Sequence, residues 1–219
     1  MSPLYAFGRA ILIPIMKLLF WYKVKGKNNI PKEGGYIVCS NHMSNFDPIF
    51  LGITQKRQIN YMAKAELFKN PVFGWIIRHL GAFPVHRGKG DGKAINNAES
   101  IVQDGKILGI FIEGTRSKTG DFLRPKAGAA IIAEKTESPV IPVCITPQNK
   151  KIRIFQPVTV SWGKPIPYES LGLGNGSGEA YRAASKQIMA EIQKLRERDL
   201  NERQMLKGKS KKALEGGKK

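Results

Sequence analysis

The amino-acid sequence predicts a single α/β domain, with a mostly parallel or mixed central sheet flanked by helices. Short apolar runs of strand length alternate along the chain with stretches of helical periodicity, a pattern typical of parallel sheets. The run ILGIFI at 107–112 is apolar throughout, as expected for a strand that is covered on both faces. The chain has 219 residues, of which 42% are hydrophobic, and this is enough for one sizeable core.

The clearest predicted helix runs from Asp91 to Asp104. Apolar residues recur on one of its faces, Asp91 can cap its N-terminus, and Gly105 can end it. Other helices are predicted at 47–55, 66–81, 127–135 and 179–201. The predicted strands are a short one at the start of 23–35, then YIVCS (36–40), INYMAKA (59–65), AFPVH (82–86), ILGIFI (107–112), PVIPVCI (139–145) and one or two strands within 151–162.

An apolar segment, LYAFGRAILIPIMKLLFWY at 4–22, precedes the domain. Arg9 and Lys17 interrupt it, so none of its three uncharged parts approaches the ~20 residues that a membrane-spanning helix needs. On a helix at ~100° per residue, Arg9, Lys17 and Lys23 share one stripe and apolar side chains fill the rest. This pattern predicts an amphipathic helix on a membrane surface, with a kink or two short helices at Pro14. A core helix of the domain and a true span are the alternatives.

The predicted organisation is therefore an interfacial membrane-anchoring helix at 1–22, an α/β domain at 23–200 and a basic, disordered tail at 201–219. The formal net charge is +19, which predicts an anionic partner such as a lipid surface, a phosphorylated substrate, an acidic protein or nucleic acid. Specific nucleic-acid binding is disfavoured, because no recognition signature is present and the cations are not interleaved with aromatic residues. Cys39 and Cys144 are predicted to be buried core thiols, and no Cys/His spacing predicts a metal site.

Polar residues come directly after three of the predicted strands. The carboxyl ends of parallel strands share one edge of a sheet, where ligands bind, so these residues are expected to meet there. They are Asn41-His42, Arg87 and Glu113-Gly114-Thr115-Arg116.

His42 and Asp47 can form a general base with its orienting partner. A neutral imidazole accepts a proton from a hydroxyl when an acceptor holds its other nitrogen, and Asp47 is within reach if the chain folds back. No nucleophile with its own motif is present, which suggests that the hydroxyl belongs to the substrate. In the alternative interpretation, Asp47 caps the helix that begins at Pro48, or forms a capping box with Ser44, and His42 is an ordinary loop residue.

The stretch EGTRS at 113–117 places a carboxylate, a hydroxyl and a guanidinium at one strand end. Arg116 suits bidentate recognition of a phosphate, and Arg124 and Lys126 follow shortly after it. Each cation alone could be a solvated surface charge. Their placement at strand ends, beside a candidate base, favours group transfer onto a hydroxyl of a phosphorylated molecule.

The sequence contains four blocks in a fixed order, namely SNHMSNFDP (40–48), GAFPVHR (81–87), FIEGTRS (111–117) and VIPVCI (140–145). Together they resemble the blocks of the glycerolipid acyltransferase family, and most closely of its bacterial 1-acylglycerol-3-phosphate acyltransferases. The resemblance covers residues 23–167 and implies the glycerolphosphate acyltransferase-like fold. Ile112 and Pro84 depart from the family pattern without touching the reactive groups.

The resemblance implies transfer of a fatty acyl group from an acyl thioester to the sn-2 hydroxyl of 1-acylglycerol 3-phosphate, which forms phosphatidic acid in phospholipid biosynthesis. His42 then matches the base and Asp47 its partner. Residues implied to bind the glycerol phosphate are Arg87, Glu113, Gly114, Thr115, Arg116 and Lys126, and Pro142 is implied on the acyl-chain or donor side.

Several features of this reaction remain open in the sequence. Acylation of glycerol 3-phosphate or of another lysophospholipid is the close alternative, and a basic membrane-surface or nucleic-acid binding protein is a distant one. No bound cofactor is expected, and the donor is acyl-CoA or acyl-carrier protein. The expected location is peripheral, on the cytoplasmic face of the membrane, and the oligomeric state cannot be read. The helical stretch at 67–80, with Phe68, Phe73 and Trp75, is expected to line an acyl-chain groove or else to pack on the sheet.

Overall fold

A computed structural model describes residues 2–86, 91–174 and 176–216. In that part of the chain seven strands form one sheet, in the order β1-β7-β6-β2-β5-β3-β4. The strands are β1 (Lys23–Lys25), β2 (Tyr36–Ser40), β3 (Ile59–Lys64), β4 (Ala82–Val85), β5 (Ile107–Phe111), β6 (Val140–Pro147) and β7 (Val158–Trp162). The helices are α1 (Pro3–Leu19), α2 (Asp47–Thr54), α3 (Pro71–His79), α4 (Gly92–Gln103), α5 (Gly128–Thr136) and α6 (Gly178–Gly216).

The sheet is mixed, with five parallel strands and two that run the other way. Strands β4, β3, β5, β2 and β6 are parallel to their neighbours, whereas β7 pairs antiparallel with β6. β1 is parallel to β7 and therefore shares its direction. The predicted α/β class with a mostly parallel or mixed sheet is confirmed.

Helices cover both faces of the sheet, and the apolar strands follow from this arrangement. Ile37 and Cys39 of β2 pack with residues of α4, α5 and α6, while Tyr36 and Val38 pack with residues of α1 and α2 on the other face. Because alternate side chains enter two cores, a central strand needs apolar residues at consecutive positions. Cys39 and Cys144 are free and fully buried, as predicted.

The carboxyl ends of the parallel strands form the edge that carries the candidate site. At the end of β2, the Asn41 amide takes the place of the backbone: its Nδ2 donates to the Ile145 carbonyl oxygen at 3.1 Å, and its Oδ1 accepts from the Ile145 N–H at 2.9 Å. The side chain is 1% exposed. Asn41 thus ends the β2–β6 ladder with all its partners in place, and the chain leaves the sheet at His42.

Helix α1 packs one face on the domain and leaves the other exposed. Met16 is buried, as is Phe20 directly after the helix, whereas Phe7, Ile11, Ile15 and Leu18 are exposed at helical spacing. One face of α1 therefore belongs to the core, as in the first alternative, and the predicted contact of its exposed face with a membrane stays a prediction. No helix among the described residues is both long and apolar enough to cross a membrane.

Two details of α1 differ from the prediction. The helix is continuous through Pro14 rather than two short helices. Pro14 lacks an N–H, but the carbonyl left without a donor belongs to Ala10, which is exposed and needs no protein partner. Arg9 does not join a cationic stripe on the surface. Its guanidinium donates to the carbonyl oxygens of Gly52 and Ile53, both at 3.3 Å. These carbonyls are at the C-terminal end of α2, where a positive charge is stabilised by the helix dipole.

The predicted boundary of a disordered tail at residue 201 is wrong. Helix α6 continues to Gly216, and Arg203 lies inside the folded domain. Its guanidinium donates to the carbonyl oxygens of Thr146 and Pro147, each at 2.7 Å. The basic composition of this stretch suggested disorder, but most of its residues are good helix formers and Arg203 fixes its beginning to β6. The segment 151–157 is a loop, so only one strand, β7, forms within 151–162.

Candidate active site

The loop between β2 and α2 folds back so that His42 and Asp47 meet. The distance from His42 Nδ1 to Asp47 Oδ2 is 2.7 Å, and the Asp47 side chain is fully buried. The same carboxylate oxygen accepts the backbone N–H groups of Met43 at 2.6 Å and Ser44 at 2.7 Å. Three donors on one oxygen hold the carboxylate in place beside the ring.

This geometry decides between the two interpretations of Asp47. Phe46, not Asp47, is the N-cap of α2 and makes no side-chain capping bond. The bond from the Ser44 N–H resembles half of a capping box, but the carboxylate also holds Met43 and the imidazole, upstream of the helix. Asp47 therefore orients His42, and helix capping does not account for its position.

The His42 ring is fixed in orientation as well as in position. It stacks on Phe111 with ring centroids 4.0 Å apart and an interplanar angle of 14°. Because a carboxylate accepts the proton of Nδ1, the lone pair of the neutral imidazole is on Nε2. Phe111 also stacks on Tyr61, so the base stands against an aromatic wall of the cavity described below. The arrangement can accept a proton from a hydroxyl that lies in the cavity.

Glu113 lies in the protein behind the site, not on the cavity surface. It is 2% exposed, and its two carboxylate oxygens accept the N–H groups of His42 and Leu123, each at 3.2 Å. Burial raises the pKa of this carboxyl, and the two N–H donors partly oppose the shift. The expected contact with glycerol phosphate does not fit this position, since a buried carboxylate that already accepts backbone donors is no phosphate ligand. Glu113 positions the loop that carries His42.

Arg116 is the one cation of the EGTRS stretch that lines the cavity together with His42. Its Nη1 donates to Asn45 Oδ1 at 2.6 Å, and both residues line the cavity together with His42. Gly114 has a φ of 70°, which favours glycine, and a Cβ built there would lie 3.2 Å from Cγ of Lys126. Lys126, Arg124 and Thr115 are exposed at the same edge, outside the cavity lining. Arg87 lies outside the described residues.

A cavity of about 690 Å³ opens beside His42. Its walls come from α1, α2, β3 and α3, and most of the side chains are apolar. Leu67 and Phe73 line it, in agreement with part of the expected groove. Residues of α3 and its surroundings that line it are Leu67, Phe73, Ile76, Ile77 and Leu80.

Three residues expected on the acyl-chain or donor side do not line the cavity. Phe68 lies under the guanidinium of Arg78, 4.7 Å from its ring centroid. Trp75 is 55% exposed and packs on His79. Pro142 is buried in the middle of β6, where its carbonyl accepts the N–H of Gly163. The apolar spacing within 66–81 predicted one helix but not which of its side chains face inward. A 3-10 turn at Ala65–Phe68 and a break at Asn70 precede α3, so a single helical register does not run through the stretch.

Several residues of the site were not found from the sequence. Asn45 holds Arg116, Phe111 supports the base, and Arg196 of α6 supports the loop that follows Arg116. The Arg196 guanidinium lies 3.7 Å from the Phe122 ring centroid and donates to the Gly120 carbonyl at 2.8 Å. Asn45 falls inside the quoted block around His42 and could have been noticed there. Arg196 comes from a distant helix, and no local pattern points to it.

Comparisons with known proteins agree with these observations. A profile of the acyltransferase family matches residues 22–146. The 1-acyl-sn-glycerol-3-phosphate acyltransferase of Bacillus subtilis (strain 168) is 35% identical over 154 residues, which cover 70% of this chain and 76% of that protein. The protein of the same name from Streptococcus pneumoniae (strain ATCC BAA-255 / R6) is 30% identical over 204 residues, covering 88% of this chain and 73% of the relative.

A solved structure shows the same fold. The crystal structure of the 1-acyl-sn-glycerophosphate (LPA) acyltransferase from Thermotoga maritima aligns with a TM-score of 0.66 at 28% identity, and covers 87% of this chain and 76% of that one. The family resemblance that the four sequence blocks predicted is confirmed. The chain is thus an O-acyltransferase of the acyltransferase family, similar to proteins named 1-acyl-sn-glycerol-3-phosphate acyltransferases.

Proposed function

We propose that this enzyme transfers a fatty acyl group from an acyl thioester to the sn-2 hydroxyl of 1-acylglycerol 3-phosphate, and so forms phosphatidic acid. One observation carries the proposal: the His42–Asp47 pair stands at an apolar cavity of about 690 Å³ with the Arg116 guanidinium in the same wall. A base, a cation and an apolar cavity match the hydroxyl, the phosphate and the acyl chain of such a substrate.

In the proposed mechanism, His42 Nε2 accepts the proton of the acceptor hydroxyl as its oxygen attacks the thioester carbonyl carbon. The tetrahedral intermediate then breaks its C–S bond, and the thiol leaves with the proton that the imidazolium returns. Asp47 stabilises the imidazolium and keeps Nε2 as the basic atom. A general base of this kind contributes ~10²–10⁴-fold in rate.

The acceptor phosphate has its cations at the same edge of the sheet. Arg116 lines the same cavity as His42, and its planar guanidinium suits bidentate contact with a phosphate. Lys126 and Arg124 are exposed close to it in the chain. In the sequence, Arg87 is the last residue of the block GAFPVHR. Thr115 adds a hydroxyl that can donate to a phosphate oxygen. We assign the phosphate to this group and the acyl chain to the cavity between α1 and α3.

The donor and the membrane belong to the same proposal. Both acyl-CoA and acyl-carrier protein are anionic and suit a chain with a net charge of +19. The exposed apolar stripe of α1 suits a helix that lies in the membrane surface, on the cytoplasmic face where these donors are found. Acylation of glycerol 3-phosphate is the competing reaction, and an acceptor without an acyl chain would leave part of the cavity unfilled.

The test is an assay of the purified protein in detergent micelles with four substrate combinations. Lysophosphatidic acid and glycerol 3-phosphate are each offered with acyl-CoA and with acyl-carrier protein. We expect phosphatidic acid from lysophosphatidic acid, lost by about 10²–10⁴-fold in His42→Ala and in Asp47→Asn. His79→Ala, in an exposed histidine of α3, is the matched control and should keep its activity. Full activity of a folded His42→Ala protein would show that the mechanism is wrong.

A further inference from the structure

The loop between β6 and β7 presents two exposed apolar side chains beside the C-terminal end of α1. Ile154 is 56% exposed and Phe155 is 59% exposed. The Phe155 N–H donates to the Leu19 carbonyl oxygen at 2.7 Å, which joins the loop to the end of the helix. Leu18 and Trp21 are also exposed there. This backbone bond thus brings two segments with exposed apolar side chains, from distant parts of the sequence, to one junction on the surface.

The backbone at Phe155 is in an unfavourable conformation. Its φ is 58°, in the left-handed region that bulky side chains rarely adopt. The loop is not loose, since Ile152 packs against the core on the α1 face of the sheet. The loop thus has two unfavourable features if it stays in water: the positive φ of Phe155 and the exposure of its aromatic ring. Such strain persists at sites where it serves binding.

The charged residues within the loop itself have one sign, although Asp121 pairs with Lys150 at the start of the loop. Lys151 and Arg153 flank the loop's apolar residues, and Lys17 is exposed on α1. The segment 148–157 has no acidic residue. Aromatic and aliphatic tips surrounded by lysine and arginine suit a surface in which the tips enter an apolar layer and the cations meet anionic groups above it. Such a layered partner is an anionic lipid bilayer.

We propose that this loop is a second membrane contact of the protein, in addition to the stripe of α1. The docking surface consists of Leu18, Trp21, Ile154 and Phe155 with Lys17, Lys151 and Arg153 around them. The inference rests on the proposed action on a lipid substrate and deepens it. It also connects to the site: Phe20, next to Trp21, packs on Phe46 with ring centroids 5.0 Å apart, in the loop that carries His42.

Position-specific fluorescence tests whether Phe155 enters lipid. Phe155→Cys is labelled with an environment-sensitive dye, and Gln193→Cys, exposed on α6 at the opposite face of the sheet, is the matched control. Cys39 and Cys144 are fully buried, so native protein takes the dye at the new cysteine. With vesicles of phosphatidylglycerol and phosphatidylcholine we expect a blue shift of the dye at position 155 and none at position 193.

Affinity measurements separate the apolar and the charged contributions. Phe155→Asn should bind the same vesicles about tenfold more weakly, as expected for loss of one partly inserted ring. Its melting temperature should not fall, because asparagine tolerates positive φ better than phenylalanine does. Phe155→Trp, which keeps an aromatic ring at this position, should bind the vesicles as the wild-type protein does. The double variant Lys151→Gln, Arg153→Gln should lose about tenfold or more on anionic vesicles and little on pure phosphatidylcholine.

Three outcomes would overturn the proposal. In the first, the protein binds vesicles but the dye at position 155 does not respond, so α1 docks alone. In the second, the protein binds no vesicles at all. In the third, the dye shifts without lipid in proportion to protein concentration, so a second copy of the chain covers the surface. Acyl transfer by the wild-type protein in detergent micelles is measured separately, which distinguishes failure of the docking surface from failure of the proposed function.

Discussion

Both oxygens of the Glu113 carboxylate accept backbone N–H groups, and through them this residue joins two loops of the site. One donor is His42 itself, and the other is Leu123, beyond Arg116 in the chain. The Ser117 N–H donates in turn to the His42 carbonyl oxygen at 2.8 Å. His42 is therefore held by its backbone N–H and carbonyl as well as by Asp47 at its ring. A small shift of either loop would move Nε2 away from the reacting hydroxyl.

We predict that Glu113→Gln weakens both the fold and the reaction. The amide has only one oxygen, so one of the two N–H donors loses its acceptor, and the expected loss of stability is about 1–3 kcal/mol. Activity should fall with it, because the loop that carries His42 loosens. Urea unfolding and kcat with lysophosphatidic acid measure the two effects. Asp104→Asn, in an exposed carboxylate of α4's end, is the control, and equal stability of the two variants would contradict the prediction.

The stability of the wild-type protein and that of Glu113→Gln should depend differently on pH. Burial raises the pKa of Glu113 above its ordinary 4.5, so in that range the folded protein holds more protons than the unfolded chain. Stability from this group therefore falls as the pH rises through the raised pKa. The glutamine variant lacks this term. Its stability deficit should be larger at pH ~4 than at pH ~7.

At the scale of single elements, the sequence predicted the strands best where both faces are covered. β5 is apolar throughout, β2 is apolar up to its last residue, Ser40, and both strands were found to within one residue. The strand ends that carry His42 and Glu113 followed from the parallel arrangement. Predictions failed where a long-range contact decides: Arg203 on β6 extends the folded part of α6, and the carbonyls of α2 draw Arg9 inward. Neither contact leaves a local pattern.

Helix α3 allows a test of the cavity at the level of one element. Ile77 lines the cavity, whereas Val72 of the same helix is 69% exposed and does not. We predict that Ile77→Trp shifts the preference of the enzyme towards shorter acyl chains, because the indole fills part of the cavity. Val72→Trp, the control, should leave the preference unchanged.

The measurement is the rate with a series of substrates of increasing chain length, together with the melting temperature of each variant. If Ile77→Trp alters only the melting temperature, α3 packs on the sheet without forming an acyl-chain groove.

For the whole molecule, α1 is a structural part of the domain as well as its surface helix. Met16 is 2% exposed and Phe20 is fully buried in the core cluster that contains α2. Tyr5, Gly8, Arg9 and Leu12 form a wall of the cavity. Fully burying a side chain such as Met or Phe contributes about 1.5–3 kcal/mol. The segment 1–22 thus completes the core and the cavity, and its predicted role as a membrane anchor stays a prediction.

We predict that deletion of residues 1–20 does not yield a soluble, active domain. The truncated protein should lose several kcal/mol of stability, from the buried side chains alone. Circular dichroism melting and acyl transfer in micelles are the measurements. A truncated protein with unchanged melting temperature and activity would mean that α1 is a detachable anchor.

The edge strand β1 gives the chain an order in which it can fold. Lys25 of β1 is paired with Asp199 of α6 at 2.9 Å, 174 residues away in the sequence. Strand β1 also pairs with β7, which is the last of the seven described strands along the chain. At ~5–20 residues per second, the ribosome delivers these partners about 7–35 s after β1 itself. During that interval β1 lacks its ladder partner, so α1 can meet a membrane before the sheet of the domain is complete.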